Sequence, residues 1–352
     1  MKKLLALVLA LTMALLVGVA SAETEETTDL SGMKVGLCTA TATHGFNAEL
    51  ITHAQNETAR KAEEYGFDYN IVTCADSTAQ VNALETMAVE DYDLILVSAV
   101  VGDDIAATCQ EIVDSGTKLM VFSRGVDGVD APQYMGDQYG MGQTQGEYIV
   151  EFFQDDLDAG NTVEILFFYG DDSVNSQERA AGLQDTLDAA GITINQTFRG
   201  DWSRQTSMEQ MENWLLSAET KDISTIRAIV TQDDEMSYGI MDAIELYMGT
   251  ADLSNIDLMV SIGSQRDYLN KYDMYAETYG MALAGLDYSP TYCIDAIDMA
   301  IDWLAGKIDL EPGYITFVPV IIDAENKDEY MASETYQLRY SIVDEEGNIV
   351  TE

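Results

Sequence analysis

Eight times between residues 33 and 264 the chain repeats one pattern: a short apolar run, a polar tip, then a segment with apolar residues on one helical face. The runs are MKVGLCTA (33–40), DYNIVTC (68–74), DLILVSA (93–99), KLMVFSR (118–124), VEILFFYG (163–170), TINQTFRGD (193–201), RAIVTQ (227–232) and LMVSIGS (258–264). Continuous rather than alternating apolarity predicts strands covered by helices on both faces, and such strands pair in parallel. The segments between them carry the helical period, with Met208, Met211 and Leu215 on one face and Ile294, Ile297, Ile301 and Leu304 on another. The fold class is therefore α/β.

Eight such units overfill one open sheet and divide naturally into two. A closed barrel would need about 250 residues of regular strand–helix alternation. The segment QYMGDQYGMGQTQGEYIVEFF (133–153) argues against it, because it predicts a short strand crossing between lobes and then a long helix opening the second. In open parallel sheets ligands sit beyond the carboxyl ends of the strands, so the polar tips are the candidate binding surface.

The N-terminus has its own signature. Lys2 and Lys3 precede LLALVLALTMALLVGV and then Ala20-Ser21-Ala22, which predicts a secretory signal (1–22) cleaved before Glu23 and followed by an acidic linker (23–32). A membrane anchor is the competing reading. It fits less well, because the run is short of the ~20 residues of a span and ends in small residues followed by acids. An exported protein with no membrane insertion after cleavage is expected. No cysteine near the cleavage site supports a lipid anchor.

Cleavage removes two of the 17 basic residues and none of the 62 acidic ones, leaving a formal charge of −47 on 330 residues. A field of that sign repels phosphate backbones and anionic lipid, which excludes nucleic acid as a partner. With 47% apolar residues the composition is globular, and the length calls for two cores. Cys38, Cys74, Cys109 and Cys293 lack a metal-ligand or C-x-x-C spacing, and two histidines cannot make a His-rich metal site. Cys38 and Cys74 fall at the ends of neighbouring strand candidates; export permits a bridge there, a reducing niche would leave thiols.

The tips carry planar polar groups and aromatics, an inventory suited to reading a carbohydrate: carboxylates, amides and Arg pair with adjacent hydroxyls, and rings cover C–H faces. Trp202 lies in the polar turn RGDWSRQ, unlike Trp214 and Trp303, which belong to amphipathic helices and read as core. Phe46 is either a cleft ring or the first core residue of a helix continuing with Leu50 and Ile51. His44 is either a ligand donor or a helix-entry residue. Arg124 ends a strand where a surface role would suit lysine, and Arg179 sits early in a helix, where a cation opposes the dipole unless something holds it. In TQDDEMSYG, Asp234 and Glu235 are assigned to the first turn of a helix and Asp233 to the cleft.

These residues resemble the type I periplasmic sugar-binding proteins, the ribose- and galactose/glucose-binding family that serves ABC importers, over roughly residues 33–320. The apolar strand, Asn-Asp-x-Met and helix of that family appear here as QDDEM (232–236), with Asp233 for the usual Asn. Trp202 and Trp214 keep the tryptophan interval of the glucose/galactose branch. The resemblance further assigns ligand contacts to Asn175 and Arg179, to Ser123 and Arg124, to His44 and Phe46, to Gln265 and to Asp287. Ser123, Asp233, Gln265 and Asp287 depart from the usual residue types, so the hydroxyl pattern being read differs. The calcium loop of the galactose branch is not matched by DDLDAGN (155–161), and neither metal nor cofactor is expected.

The resemblance implies two Rossmann-like lobes with parallel sheets, 33–136 plus 288–316 and 137–287 plus 317–352, joined by a three-segment hinge near 135–138, 285–289 and 314–319. It implies a monomer that closes over a pentose or hexose and is recognised by an ABC transporter permease, or alternatively a sensor docking on a chemoreceptor or sensor kinase. A repressor of this fold would need a basic helix-turn-helix, and a hydrolase a nucleophile or acid/base motif such as G-x-S-x-G or H-E-x-x-H; neither occurs, so the protein is not expected to be an enzyme.

Overall fold

Two six-stranded sheets organise the chain in a computed structural model, which describes residues 28–42, 45–218, 223–246, 253–343 and 349–351. The proposed signal segment and His44 lie outside the described residues. The first sheet holds β1 (Lys34–Ala40), β2 (Asp68–Cys74), β3 (Leu94–Val97), β4 (Lys118–Phe122), β5 (Pro132–Gly136) and β11 (Gly313–Phe317). The second holds β6 (Glu164–Tyr169), β7 (Thr193–Arg199), β8 (Ile226–Thr231), β9 (Leu258–Ile262), β10 (Ala282–Leu286) and β12 (Ile321–Ile322). Their orders are β11-β5-β4-β3-β1-β2 and β12-β10-β9-β8-β6-β7. All pairings within the two sheets are parallel except β10 with β12.

Continuous apolarity has the expected consequence in the central strands: every residue of β3 and β9 is buried. Two of the eight runs correct that expectation. β2 and β7 are the outer strands of their sheets and are largely exposed, because one long edge of each meets solvent instead of a neighbouring strand. Cores lie on both faces. The first sheet is covered by helices 45–65 and 292–304 on one side and 77–89 and 102–114 on the other. The second is covered by 138–152 and 174–190 on one side and by 204–218, 234–246 and 272–279 on the other. Trp214 is buried in the second lobe's core, and Trp303 packs against the first lobe's with Lys118 Nζ 3.9 Å from its ring centre.

The chain passes between sheets three times: from β5 into helix 138–152, from β10 into helix 292–304, and from β11 into β12. The crossings are tied together by backbone hydrogen bonds, Asp137 N–H to the Phe317 carbonyl at 2.7 Å and Asp287 N–H to the Val320 carbonyl at 2.9 Å. Parallel strands all point their carboxyl ends one way, so these crossings bring the tips of both sheets to one interlobe region.

Cys38 and Cys74, on neighbouring strands, carry their sulfurs 3.8 Å apart, and all four cysteines are free and buried. In DDLDAGN, Asp156 accepts from Asn161 at 2.8 Å and pairs with Arg227, which commits that carboxylate within the fold. None of the described helices is long and apolar enough to cross a membrane.

Candidate functional site

Arg179 is the centre of the candidate interlobe site, and glycines put it there. Helices 138–152 and 174–190 approach so closely that a Cβ on Gly142 would lie 2.0 Å from the Arg179 carbonyl oxygen, and one on Gly182 would lie 2.1 Å from that of Tyr139. The approach brings Gln138, the first residue past the β5 crossing, against Arg179: Nε–H donates to Gln138 Oε1 at 2.7 Å, and Nη1 donates to the Gln232 carbonyl at 2.8 Å. Gln232 is itself held by Ser176 Oγ–H and Gly170 N–H, both donating to its Oε1, at 2.7 and 3.0 Å. The tips of β6 and β8 and the start of helix 174–190 are thereby one rigid unit.

A guanidinium that is only 6% exposed needs compensation. Burial pulls the Arg179 pKa down, while the neighbouring Tyr288 and Asp233 work the other way. Two aromatic faces add to this: the guanidinium carbon lies 5.6 Å from the Trp202 ring centre and 5.3 Å from that of Tyr288. Tyr288 in turn stacks on Phe46 of the first lobe, with ring centres 5.2 Å apart and planes inclined by 16°. Rings of Tyr292, Phe317 and Tyr134 continue the stack behind it.

Trp202 is held in an uncommon backbone conformation, φ +54°, with its indole laid across Gly170, where a Cβ would be 2.1 Å from the ring. Burial works against the Asp171 charge, but hydrogen bonds from Ser173 and the Trp202 side chain together hold its pKa below the ordinary value. Left-handed conformations recur at the tips: Ser123 after β4, Asp201 and Trp202 after β7, and Ser264 after β9. Such backbone is costly for residues with a side chain, and it concentrates where surrounding structure imposes it for a purpose.

Asp234 and Glu235 stand in the first turn of helix 234–246 as expected, and Asp233 has a further role. Asp233 Oδ1 accepts the N–H groups of Glu235 and Met236 at 2.6 and 3.2 Å, so it is Asp233 that caps helix 234–246. Its second oxygen has no hydrogen bond to a described residue. Asp234, by contrast, is fully buried; its carboxylate accepts Ser261 Oγ–H at 2.5 Å and Gln265 N–H at 2.6 Å. Burial pushes Asp233 up to about 6 and Asp234 up to about 7.

Of the residues singled out from sequence, Phe46 and Arg179 lie against Tyr288, and Trp202 and Asp233 lie beside Arg179. The Ser123 side chain lies against the buried Tyr292 hydroxyl, and Asn175 is half-buried one turn before Arg179. Three others are engaged elsewhere. Arg124 is exposed and donates to the Val100 carbonyl at 2.8 Å. Gln265 Oε1 accepts from Tyr238 at 3.3 Å. Asp287 Oδ1 accepts the Tyr330 hydroxyl at 2.5 Å, from a segment that sequence reasoning never placed at the cleft.

The sequence reading assigns no ligand contact to Tyr288, Tyr292, Gln138 or Gln232. Tyr288 and Tyr292 are spaced to share a helical face at the second crossing, and Gln138 directly follows the first. Those two positions were the available signals.

A model of the periplasmic binding protein domain matches residues 35–262. A D-ribose/D-allose-binding protein of Pseudomonas aeruginosa is 22% identical over 176 residues, 48% of this chain and 52% of that protein; the chain thus aligns with about half the length of that curated relative. Among solved structures, a solute-binding protein of Bacillus halodurans with bound myo-inositol superposes with TM-score 0.67 at 22% identity, covering 86% of this chain and 98% of that one. The arabinose ABC transporter's periplasmic binding component from Shewanella, bound to L-arabinofuranose, gives 0.67 at 19%, covering 85% and 94%. At these identities the superpositions establish the type I two-lobe fold, while the domain match covers well over half the chain. This chain belongs to the periplasmic binding protein domain family.

Proposed function

We propose that the protein is an exported, monomeric solute-binding protein that captures one neutral monosaccharide, a pentose or hexose, between its lobes and presents it to an ABC importer. The observation that carries the reading is the Arg179 guanidinium held between the faces of Trp202 and Tyr288 beside the Asp233 carboxylate. A flat ring ligand needs apolar faces for its C–H surfaces together with a donor and an acceptor for neighbouring hydroxyls. Arg179 and Asp233 supply charges that offset each other, which favours an uncharged ligand. A ribose/allose-binding relative and similar structures with bound D-allose, L-arabinofuranose and myo-inositol support the same class.

Capture follows from the layout of the contacts. Phe46 belongs to the first lobe, Arg179, Trp202 and Asp233 to the second, and Tyr288 to a crossing. A ligand touching both lobes stabilises the closed arrangement by the difference in its affinity for closed and open forms. Water leaves the polar contacts on closure, and each strengthens. The closed surface is what a permease would read.

Thermal-shift and calorimetric titration of residues 23–352 against ribose, allose, arabinose, galactose, glucose and myo-inositol test the reading. One compound should raise the melting temperature by mass action, and Trp202→Ala or Asp233→Ala should reduce the shift at the same ligand concentration. Stabilisation by amino acids, nucleosides or metal ions alone would overturn it.

A further inference from the structure

Beyond β12 the chain does not simply trail off the second lobe. Helices Lys327–Met331 and Glu334–Arg339 follow, and they are fastened to that lobe along their length. Tyr330 and Tyr336 are buried in the same apolar cluster as Trp214 and Tyr268. Lys327 Nζ reaches Asp273 at 3.0 Å, the Tyr330 hydroxyl donates to Asp287, and Arg266 N–H donates to the Tyr340 hydroxyl at 2.7 Å.

Arg339, at the end of this strap, is where the strap holds the first lobe. Its side chain is 0% exposed. Nη1 donates to the carbonyl of Gly263, at the tip of β9 in the second lobe, at 2.6 Å. Nε donates to Glu49 Oε2, on helix 45–65 of the first lobe, at 3.2 Å. One turn along the same helix, His53 Nε2 lies 3.2 Å from the Arg339 backbone carbonyl. Nη2 is buried with no hydrogen-bond partner.

A buried guanidinium is tolerated only where charges and acceptors surround it. Here the acceptors come from both sides of the hinge, a carboxylate from one lobe and a carbonyl from the other. Separating the lobes leaves the strap's second-lobe contacts whole and breaks the two to Glu49 and His53. We propose that residues 327–340 are a latch that fastens the lobes together non-covalently through Arg339 and holds the cleft partly closed before ligand arrives. The same strap explains why Asp287 is not free: the latch walls off the β10 side of the cleft, which narrows the ligand space to the Arg179 side.

The inference rests on the two lobes moving about the crossings, as the proposed capture requires. Its test needs no ligand. Spin labels attached through Val89→Cys on the first lobe and Leu216→Cys on the second, both exposed, report the interlobe distance by pulsed dipolar spectroscopy. With the latch intact the ligand-free distribution should be narrow. In Glu49→Gln, and more so in Glu49→Gln with His53→Ala, it should broaden towards longer distances, with the melting temperature confirming a folded chain.

Loss of a charge-assisted hydrogen bond should shift the closed-to-open ratio by about tenfold. The affinity of whichever sugar binds should fall in proportion to the closed fraction that the distance distributions report. Distributions that superimpose on the unmutated protein's would overturn the latch. Failure of every sugar to bind would sink the functional reading and leave the distance comparison standing.

Discussion

The Arg179 guanidinium of the second lobe lies 5.3 Å from the ring centre of Tyr288, which stacks on Phe46 of the first lobe. This cation-on-ring contact joins helix 174–190 to the crossing after β10. Lysine at 179 would keep the charge but lose the fork that reaches Gln138 and the Gln232 carbonyl together. Arg179→Lys should weaken sugar binding about 100-fold, roughly 3 kcal/mol. Isothermal titration showing an unchanged Kd would remove Arg179 from the site.

Trp202 is half-buried, with its ring face towards the Arg179 guanidinium. Trp202→Ala should cost about tenfold or more in affinity through lost stacking, with little change in melting temperature. Gly170→Ala provides an independent check, because its methyl would collide with the indole. It should reproduce the affinity loss while Trp202 fluorescence reports a displaced ring; full affinity in that variant would show that the ring's position does not matter.

The helix pair 138–152 and 174–190 depends on Gly182, where any Cβ meets the Tyr139 carbonyl. Gly182→Ala should destabilise the protein by about 2 kcal/mol through forced separation of the helices. Urea unfolding measures this, and the same separation should pull Gln138 from Arg179 and weaken ligand binding in parallel.

Asp234 has its folded pKa raised by burial to about 7, above the ordinary carboxyl value. The folded state therefore binds more protons than the unfolded state between roughly pH 4 and 7, and stability falls as pH rises through that window. Asp234→Asn can accept from Gln265 N–H and donate to Ser261 Oγ without a charge. It should flatten the pH dependence and gain on the order of 2 to 4 kcal/mol at pH 8, measured by denaturant unfolding at pH 5 and pH 8.

Asp233 reaches about 6 for the same reason, beside the Arg179 guanidinium. Sugar affinity should decline as pH falls below about 6, where the acceptor gains a proton. In Asp233→Asn that decline should vanish. Affinity that is flat from pH 5 to 8 in the unmutated protein would take the carboxylate out of the contact set.

Strand and helix periodicity made the sheets legible because burial on both faces demands continuous apolar runs, and β3 and β9 are such strands. β10, ALAGL at 282–286, was missed as a strand since its small residues carry little hydrophobic signal. Site residues were legible where a side chain violated local expectation: Arg179 opposing a helix dipole, Trp202 in a polar turn. The ligand contact at the second crossing was assigned to Asp287 on the resemblance, and its neighbour Tyr288 is the residue that touches Arg179.

Local periodicity and composition thus sufficed for the α/β class, two lobes and the polar tips, since those depend on neighbours within a few residues. Which tips converge was decided in three dimensions. Glycine-permitted helix contact swings Arg179 to Tyr288, and a C-terminal strap takes the Asp287 carboxylate through Tyr330, 43 residues further along the chain, and spans the lobes through Arg339. Hydrogen bonds and buried charge select partners by distance in space, and separation along the chain carries no record of that distance.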